Sequence, residues 1–337
     1  MDALARAFAA LWLAAASVQA QEASTAAPAA VTLTAVGDIR LDGPVGDIIR
    51  RQGPAAPTSA VREILQADIV LGNLECPVTS RGARVLGKKW TFRAPPKNLA
   101  ALKAAGFNLM SVANNHTMDY GPEGFQDTLA ALDREDLPYV GGGKDRADAM
   151  KLKVVPVRGL RVGVLAFTST FPESAWAGPH KPGVAYSDYD RAGEVIREAR
   201  GRCDVLVVAF HGGTELAEEP NEVQKAFAHL AVDSGADAFI GHHPHVIQPL
   251  EIYQDKPIIY SLGNFLFVSP TPATRLTAAA RLSLSSRGIG GVEFAALETN
   301  WGRPIPADAA RREELFRILD RYGALSAQPG RFRMADR

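Results

Sequence analysis

The sequence predicts an α/β protein with a largely parallel sheet, and three observations carry that reading. Short apolar, β-branched runs recur at 31–36, 68–71, 107–112, 161–168, 203–210 and 237–240, each of a length suited to a buried strand. Helical patterns lie between many of them, at 96–105, 122–134, 189–201 and 221–235, and strand–helix alternation is the mark of a parallel sheet. Five of the runs end in ligand-type polar residues, as strands do at the carboxyl edge where α/β proteins build their sites.

Residues 1–20 stand apart from the fold. Arg6 is the one side-chain cation of a short leading region, 7–16 is apolar, and Val18-Gln19-Ala20 suits a cleavage site. The apolar run is too short for a bilayer span. Cleavage after Ala20 and export to the periplasm or exterior are expected, with 21–30, rich in Ala, Ser and Thr, as a flexible lead-in. The main domain is expected over 31–300, and 301–337 as a C-terminal helix and loose tail.

The run at 31–36 ends in Gly37-Asp38, which puts a carboxylate at the sheet edge, although a lone Gly-Asp also makes an ordinary turn. A short helix is expected at 62–66. The strand at 68–71 ends in Gly72-Asn73-Leu74-Glu75. Pro96 opens a helix that Gly106 stops, and the strand at 107–112 leads into Asn114-Asn115-His116, with Asp119 close by. Asx-turn chemistry explains the amides but not the imidazole and carboxylate beside them. Pro122 opens the next helix. The triplet Gly141-Gly142-Gly143 reads as a flexible connection.

A hairpin is expected around Arg158-Gly159-Leu160, and a long surface loop at 168–186 is a candidate substrate rim or lid, with His180 solvated. The strongest buried-strand signal, 203–210, ends in His211-Gly212-Gly213-Thr214-Glu215. The helix at 221–235 carries His229 at an exposed position or a core edge. The strand at 237–240 runs into Gly241-His242-His243-Pro244-His245, which holds three of the chain's seven histidines. Imidazole is the commonest ligand for borderline metals, so this stretch is the centre of the expected site. Further strands are expected at 258–260 and 291–298, and a charged amphipathic helix at 309–319; 270–286 carries little signal.

Composition narrows the classes. Lys+Arg and Asp+Glu are both 37, so the usual basic footprint of a nucleic-acid binder is missing. Cys76 and Cys203 are the only cysteines, each next to a different strand, and are expected to be free thiols. Neither a phosphate-binding Gly-Lys-Ser/Thr loop nor a dinucleotide fingerprint occurs. The strand ends converge on a mixed oxygen and nitrogen donor set that suits one or two Mn, Fe or Zn ions better than Ca. Such ions activate water and stabilise an in-line displacement. His116, oriented by Asp119, could then protonate a leaving group.

These motifs, in this order over about 31–268, resemble the poly-gamma-glutamate capsule synthesis protein A (CapA) family, a branch of the calcineurin-like metallophosphoesterase superfamily. The matching residues are Gly37-Asp38, Asn73-Leu74-Glu75, Asn114-Asn115-His116 with Asp119, His211-Gly212 with Glu215, the 241–245 histidine stretch and Ser261-Leu262-Gly263-Asn264-Phe265. The resemblance implies a four-layer α/β/β/α sandwich of the metallophosphoesterase type. It implies Asp38, Asn73, Glu75, Asn115, His211, His243 and His245 as metal ligands and His116 as proton donor.

The chain departs from the superfamily at three places. Asp38-Ile39-Arg40 stands for Asp-x-His, and Arg40, a permanent cation, could bind an anionic substrate with Glu215 nearby. Asn73 stands for the usual aspartate, with Glu75 as a longer substitute. His242 and His243 both compete for the first histidine slot. Two functions follow from the resemblance. One is an exported hydrolase of a phosphoester or an amide such as a γ-glutamyl bond. The other is a non-catalytic factor that binds an anionic polymer alongside envelope-synthesis proteins.

Overall fold

The computed structural model describes residues 31–335; the expected signal peptide and lead-in lie outside them. Nine strands form one sheet, ordered Arg303–Pro306, Gly288–Asn300, Leu276–Ser285, Val31–Ile39, Ile69–Leu74, Leu109–Ser111, Tyr139–Val140, with Asn264–Leu266 beside Val31–Ile39 and Phe332–Met334 beside Gly288–Asn300. Six form the other, ordered Leu250–Tyr253, Lys256–Ile259, Ala238–His242, Val205–His211, Leu160–Thr168, Lys153–Val157. The expectation of a largely parallel sheet needs correcting. The four strands from Val31–Ile39 to Tyr139–Val140 are parallel, but the other wing of that sheet is antiparallel. The second sheet is parallel in its middle and antiparallel at both edges.

The layers follow from the two-residue period of each strand. Leu33, Ala35, Ile69 and Leu71 of the first sheet meet Val162, Val205, Val207 and Ile240 of the second in one apolar core. The reverse face of the first sheet, through Val70 and Met110, packs on Val45, Leu102, Phe125 and Leu132 of the helices Gly43–Gln52, Ala100–Ala105 and Gly121–Arg134. The reverse face of the second, through Leu206, Val208 and Phe239, packs on Ile196, Phe227 and Ala231 of Tyr189–Arg200 and Glu222–Asp233. The result is the four-layer α/β/β/α sandwich. Strands covered on both faces must be apolar throughout, which is why 203–210 reads so strongly in the sequence.

Several elements differ from expectation. The chain before 62 forms a 3-10 helix, Ala56–Val61, and then turns, in place of a helix at 62–66. The weak 270–286 region holds Leu276–Ser285, a strand between two partners. Its Ala278, Ala279 and Ala280 carry too little side chain to give a period. The glycine triplet is a packing device: a Cβ on Gly141 would stand 2.5 Å from that of Ala113, and Gly142–Gly143 pairs with Gly183–Val184. The segment after 301 is integrated, with Leu315 and Leu319 of the Ala309–Leu319 helix in the inter-sheet core and Phe332–Met334 completing a sheet. Cys76 and Cys203 are both buried and free, in separate cores. Among the described residues, no helix is long and apolar enough to cross a membrane.

Two glycines allow close backbone approach beside the strand ends. A Cβ on Gly37 would lie 2.0 Å from the Gly263 carbonyl oxygen, and one on Gly241 2.0 Å from that of Tyr260. Backbone therefore passes directly against each strand end that carries the site. Gly241→Ala is expected to destabilise the fold by about 2 kcal/mol or more, because rigid backbone has to move. Urea unfolding monitored by far-ultraviolet circular dichroism measures this; an unchanged midpoint would contradict the close approach.

Candidate metal centre

The sheets deliver the polar residues to one place. Asp38 lies in Val31–Ile39, Asn73 in Ile69–Leu74 with Glu75 next to it, and His211 at the end of Val205–His211. Asn115 and His116 follow Leu109–Ser111, and His243 and His245 follow Ala238–His242. His243 and His245 both adopt positive φ, 99° and 59°, a conformation that non-glycine residues rarely hold and that clusters at functional sites.

Glu75 is the hub. Its Oε1 lies 3.5 Å from His211 Nε2, 3.8 Å from His245 Nε2 and 4.0 Å from His116 Nε2. The side chain is fully buried, and neither carboxylate oxygen has a hydrogen-bond partner. His243 Nδ1 is likewise buried and unpartnered. An unpaired buried carboxylate costs several kcal/mol, and a cation is what such a cluster fits. Three ligand groups converge within 4.8 Å: Glu75 with His211 and His243, Asp38 with Glu75 and His245, and Glu215 with His243 and His245. The donors are carboxylate oxygen and imidazole nitrogen, the chemistry of Mn, Fe and Zn.

The supporting hydrogen bonds aim these ligands. His245 Nδ1 faces Asn264 Oδ1 at 2.8 Å and Asp38 Oδ2 at 3.2 Å. Two acceptors there keep a proton on Nδ1 and fix the ring with Nε2 on the Glu75 side. His242 Nε2 meets the Val36 carbonyl oxygen at 3.1 Å, so His242 ties the two sheets together, while His243 is the one of the two that falls in the converging groups. His211 Nε2 meets Asn115 Oδ1 at 2.8 Å.

Asn73 sits in the midst of the cluster. Its Nδ2 donates to Asp38 Oδ1 at 2.8 Å and lies 3.1 Å from His211 Nδ1, while its oxygen accepts from Asn114 Nδ2. In this orientation Asn73 orients two expected ligands, and its oxygen is held by Asn114.

Residues 32–269 match the family model described as "Bacterial capsule synthesis protein PGA_cap". The chain belongs to this capsule synthesis family. It is 33% identical over 289 residues to "PGA biosynthesis protein CapA" of Bacillus subtilis, covering 84% of this chain and 76% of that one. It is 35% identical over 288 residues to "Capsule biosynthesis protein CapA" of Bacillus anthracis, covering 83% and 70%. Among solved structures it is similar to the sulfate thiohydrolase SoxB of Thermus thermophilus, at 14% identity and a TM-score of 0.49 over 90% of this chain and 61% of that one. The layers described above, not this distant likeness, define the fold.

Within this family member, charge explains the protonation of the cluster. Burial, reinforced by the Asp38 charge, raises Glu75 well above the usual carboxylate range. Burial also pushes Asp38 upward, but the hydrogen bond and charge of His245 outweigh it and hold Asp38 below its ordinary value. Burial pushes His245 down, yet Glu75 and Asp38 together raise it to about 10. Burial and the positive field of its histidine neighbours depress His211 strongly and His243 to about 3. Without a cation, a proton on His245 offsets the charge of Asp38. A bound cation would take that role and compete with it.

His116 lies beside the hub and is oriented from behind. Its Nδ1 is 2.7 Å from Asp119 Oδ2, and its ring stacks on Phe92 at 4.1 Å between centroids. Burial lowers His116 overall, with Asp119 opposing. Lys88 pairs with the fully buried Asp119 and donates to the Asn115 carbonyl. No motif points to Lys88, which acts from a loop distant in the chain. Asn264 was visible within Gly263-Asn264, but its partner was not.

Arg40 is already engaged: its Nε is 2.6 Å from Asp42 Oδ1, and the guanidinium lies 3.8 Å from the Phe92 ring centroid. It braces the ring on which His116 stacks, and its charge is matched by Asp42. Glu215, expected on the substrate side, is exposed yet within ligand reach of His243 and His245. His180 is exposed, and His229 pairs with Glu251 at 2.9 Å.

The site's charge predicts a pH dependence for metal-free protein. The folded state keeps His243 neutral to about 3, whereas the unfolded chain binds that proton near 6.5. Stability carried by this group is full above about pH 6.5 and falls as pH drops towards 3. Thermal unfolding in chelator at pH 7.5 and 5 is expected to show a lower Tm at pH 5, and a smaller drop in His243→Ala. Glu75→Gln is expected to raise the Tm of the metal-free protein by removing a partnerless buried carboxylate, while abolishing the rise in Tm on adding Mn or Zn.

Proposed function

We propose that this chain is an exported, metal-dependent hydrolase of capsule or cell-envelope polymer metabolism, acting on a phosphoester or an amide such as a γ-glutamyl bond. The observation that carries the reading is Glu75, buried without a partner and ringed by histidines from both sheets. Glu75, His211, His243, His245, Asp38 and Glu215 would hold one or two divalent ions, Mn, Fe or Zn. Such ions supply Lewis-acid polarisation of the substrate and a nucleophile at neutral pH.

The protein's own residues account for the rest. A cleft of about 310 Å³ opens beside Asn115 and His243, walled by Ser169, Thr170, Gly213 and Asn221. It receives the scissile group among neutral donors and acceptors. The 168–186 segment contributes Ser169 and Thr170 to this wall, which supports its reading as a substrate rim. His116 Nε2, on the Glu75 side of a ring fixed by Asp119, Lys88 and Phe92, is placed to give a proton to the leaving group. Asp119 stabilises the imidazolium form and Lys88 matches the aspartate charge. Export is supported by the pattern of residues 1–20. An anionic polymer as substrate is supported by the family and by the relatives named for PGA and capsule biosynthesis.

Elemental analysis of protein purified without chelator or histidine tag is expected to find Mn, Fe or Zn near stoichiometry, lost in the His243→Ala, His245→Ala double variant. His116→Ala should keep the metal and lose about 10²–10⁴-fold in kcat on phosphoesters or γ-glutamyl amides. Protein that is folded, metal-free and refuses added metal would replace this reading with that of a non-catalytic polymer-binding factor.

A further inference from the structure

The segment 80–97 holds six cations, Arg81, Arg84, Lys88, Lys89, Arg93 and Lys97, and no acidic residue, in a chain whose total charges cancel. Two of the six are spent internally. Arg81 pairs with Glu123 and Asp127, and Lys88 with Asp119. Arg84, Lys89 and Arg93 are exposed, and among the described residues their side chains pair with no carboxylate, although the Arg93 backbone N–H donates to Asp42. Arg93 lies over the Tyr120 ring at 4.3 Å and Lys89 over Trp90 at 5.6 Å. Leu86 and Trp90 between them are 90% and 60% exposed, in a protein that buries most of its large apolar side chains.

This loop is fastened to the site. Val85 N donates to the Asp119 carbonyl at 2.9 Å, Phe92 N to Asp119 Oδ2 at 2.7 Å, and Lys88 to the Asn115 carbonyl. Asn115 in turn walls the cleft. Unpaired cations gathered on one exposed loop of a neutral protein focus the field there and draw an anion towards it. The three stand at 84, 89 and 93, a spread spacing along the loop. It suits charges repeated along a chain, with Trp90 and Leu86 offering apolar contact to the methylene stems between them.

We propose that the 84–93 loop is the binding surface for a linear polycarboxylate, with Arg84, Lys89 and Arg93 taking carboxylates and Trp90 the aliphatic stem, and that it leads the chain past Lys88 to the cleft at Asn115. This rests on the reading that the protein handles an anionic polymer. The fastening of the loop to Asp119 links polymer binding to the residue that orients His116.

The test is fluorescence anisotropy of labelled polyglutamate titrated with the full protein at two ionic strengths, alongside metal content. The triple variant R84A/K89A/R93A is expected to raise Kd about tenfold or more and to flatten its salt dependence, with metal content unchanged. Trp90→Ala should weaken binding by a smaller factor without altering the salt dependence. Unchanged Kd in the triple variant, or an oligothymidylate bound as tightly as polyglutamate, would overturn the proposal. The hydrolase reading fails separately: protein that binds polyglutamate through this loop but holds no metal sinks that reading alone, and metal-loaded active protein with no loop-dependent polymer binding sinks this one alone.

Discussion

Two carboxylates, Asp38 and Glu75, lie fully buried at the seam of two sheets, and the architecture around them exists to offset their charge. Burying a carboxylate is costly unless it is paired. Asp38 is paired four ways, by Asn73, His245, the His243 backbone N–H and, at longer range, His211. Glu75 is left with no hydrogen bond on either carboxylate oxygen. The asymmetry is informative: one carboxylate organises the protein, and the other faces whatever occupies the centre.

Holding these groups together requires both sheets at once. Asp38 and Glu75 come from the first sheet, His211, His243 and His245 from the second. The sheets are locked by the apolar core between them and, at the site itself, by His242 bonded to Val36. The glycines at 37 and 241 permit backbone to pass where a side chain would stand. Positive φ at His243 and His245 turns their rings back towards the first sheet, a local cost that the surrounding packing enforces. The site is therefore rigid where its ligands are, which is what metal geometry demands.

The proton-bearing side of the site is built differently. His116 is held by Asp119, Asp119 by Lys88 and the Phe92 N–H, and Phe92 by Arg40 and the ring of His116. Most of these partners belong to or touch the 80–93 loop. A residue whose orientation depends on an exposed, cationic loop is open to influence by what the loop binds. The Glu75, His211, His243 and His245 cluster, set in or directly after strands, is not.

The sequence by itself determined most of the buried strands, most helices and which polar residues stand at the strand ends. Strands buried on both faces leave apolar runs, and ligands placed at strand ends leave polar clusters directly after them; both signals are local. The tertiary structure alone decided the rest, because it depends on contacts between distant segments. His242 and His243 are neighbours with the same side chain, and only the Val36 carbonyl tells them apart. The contacts of Arg40 with Asp42 and Phe92 appear only in the fold. So does the tie between Asn73 and Asn114. The Leu276–Ser285 strand was hidden because its alanines carry no period, and pairing on both edges holds it. Lys88 had no motif at all; its role exists only because the fold brings it to a buried aspartate.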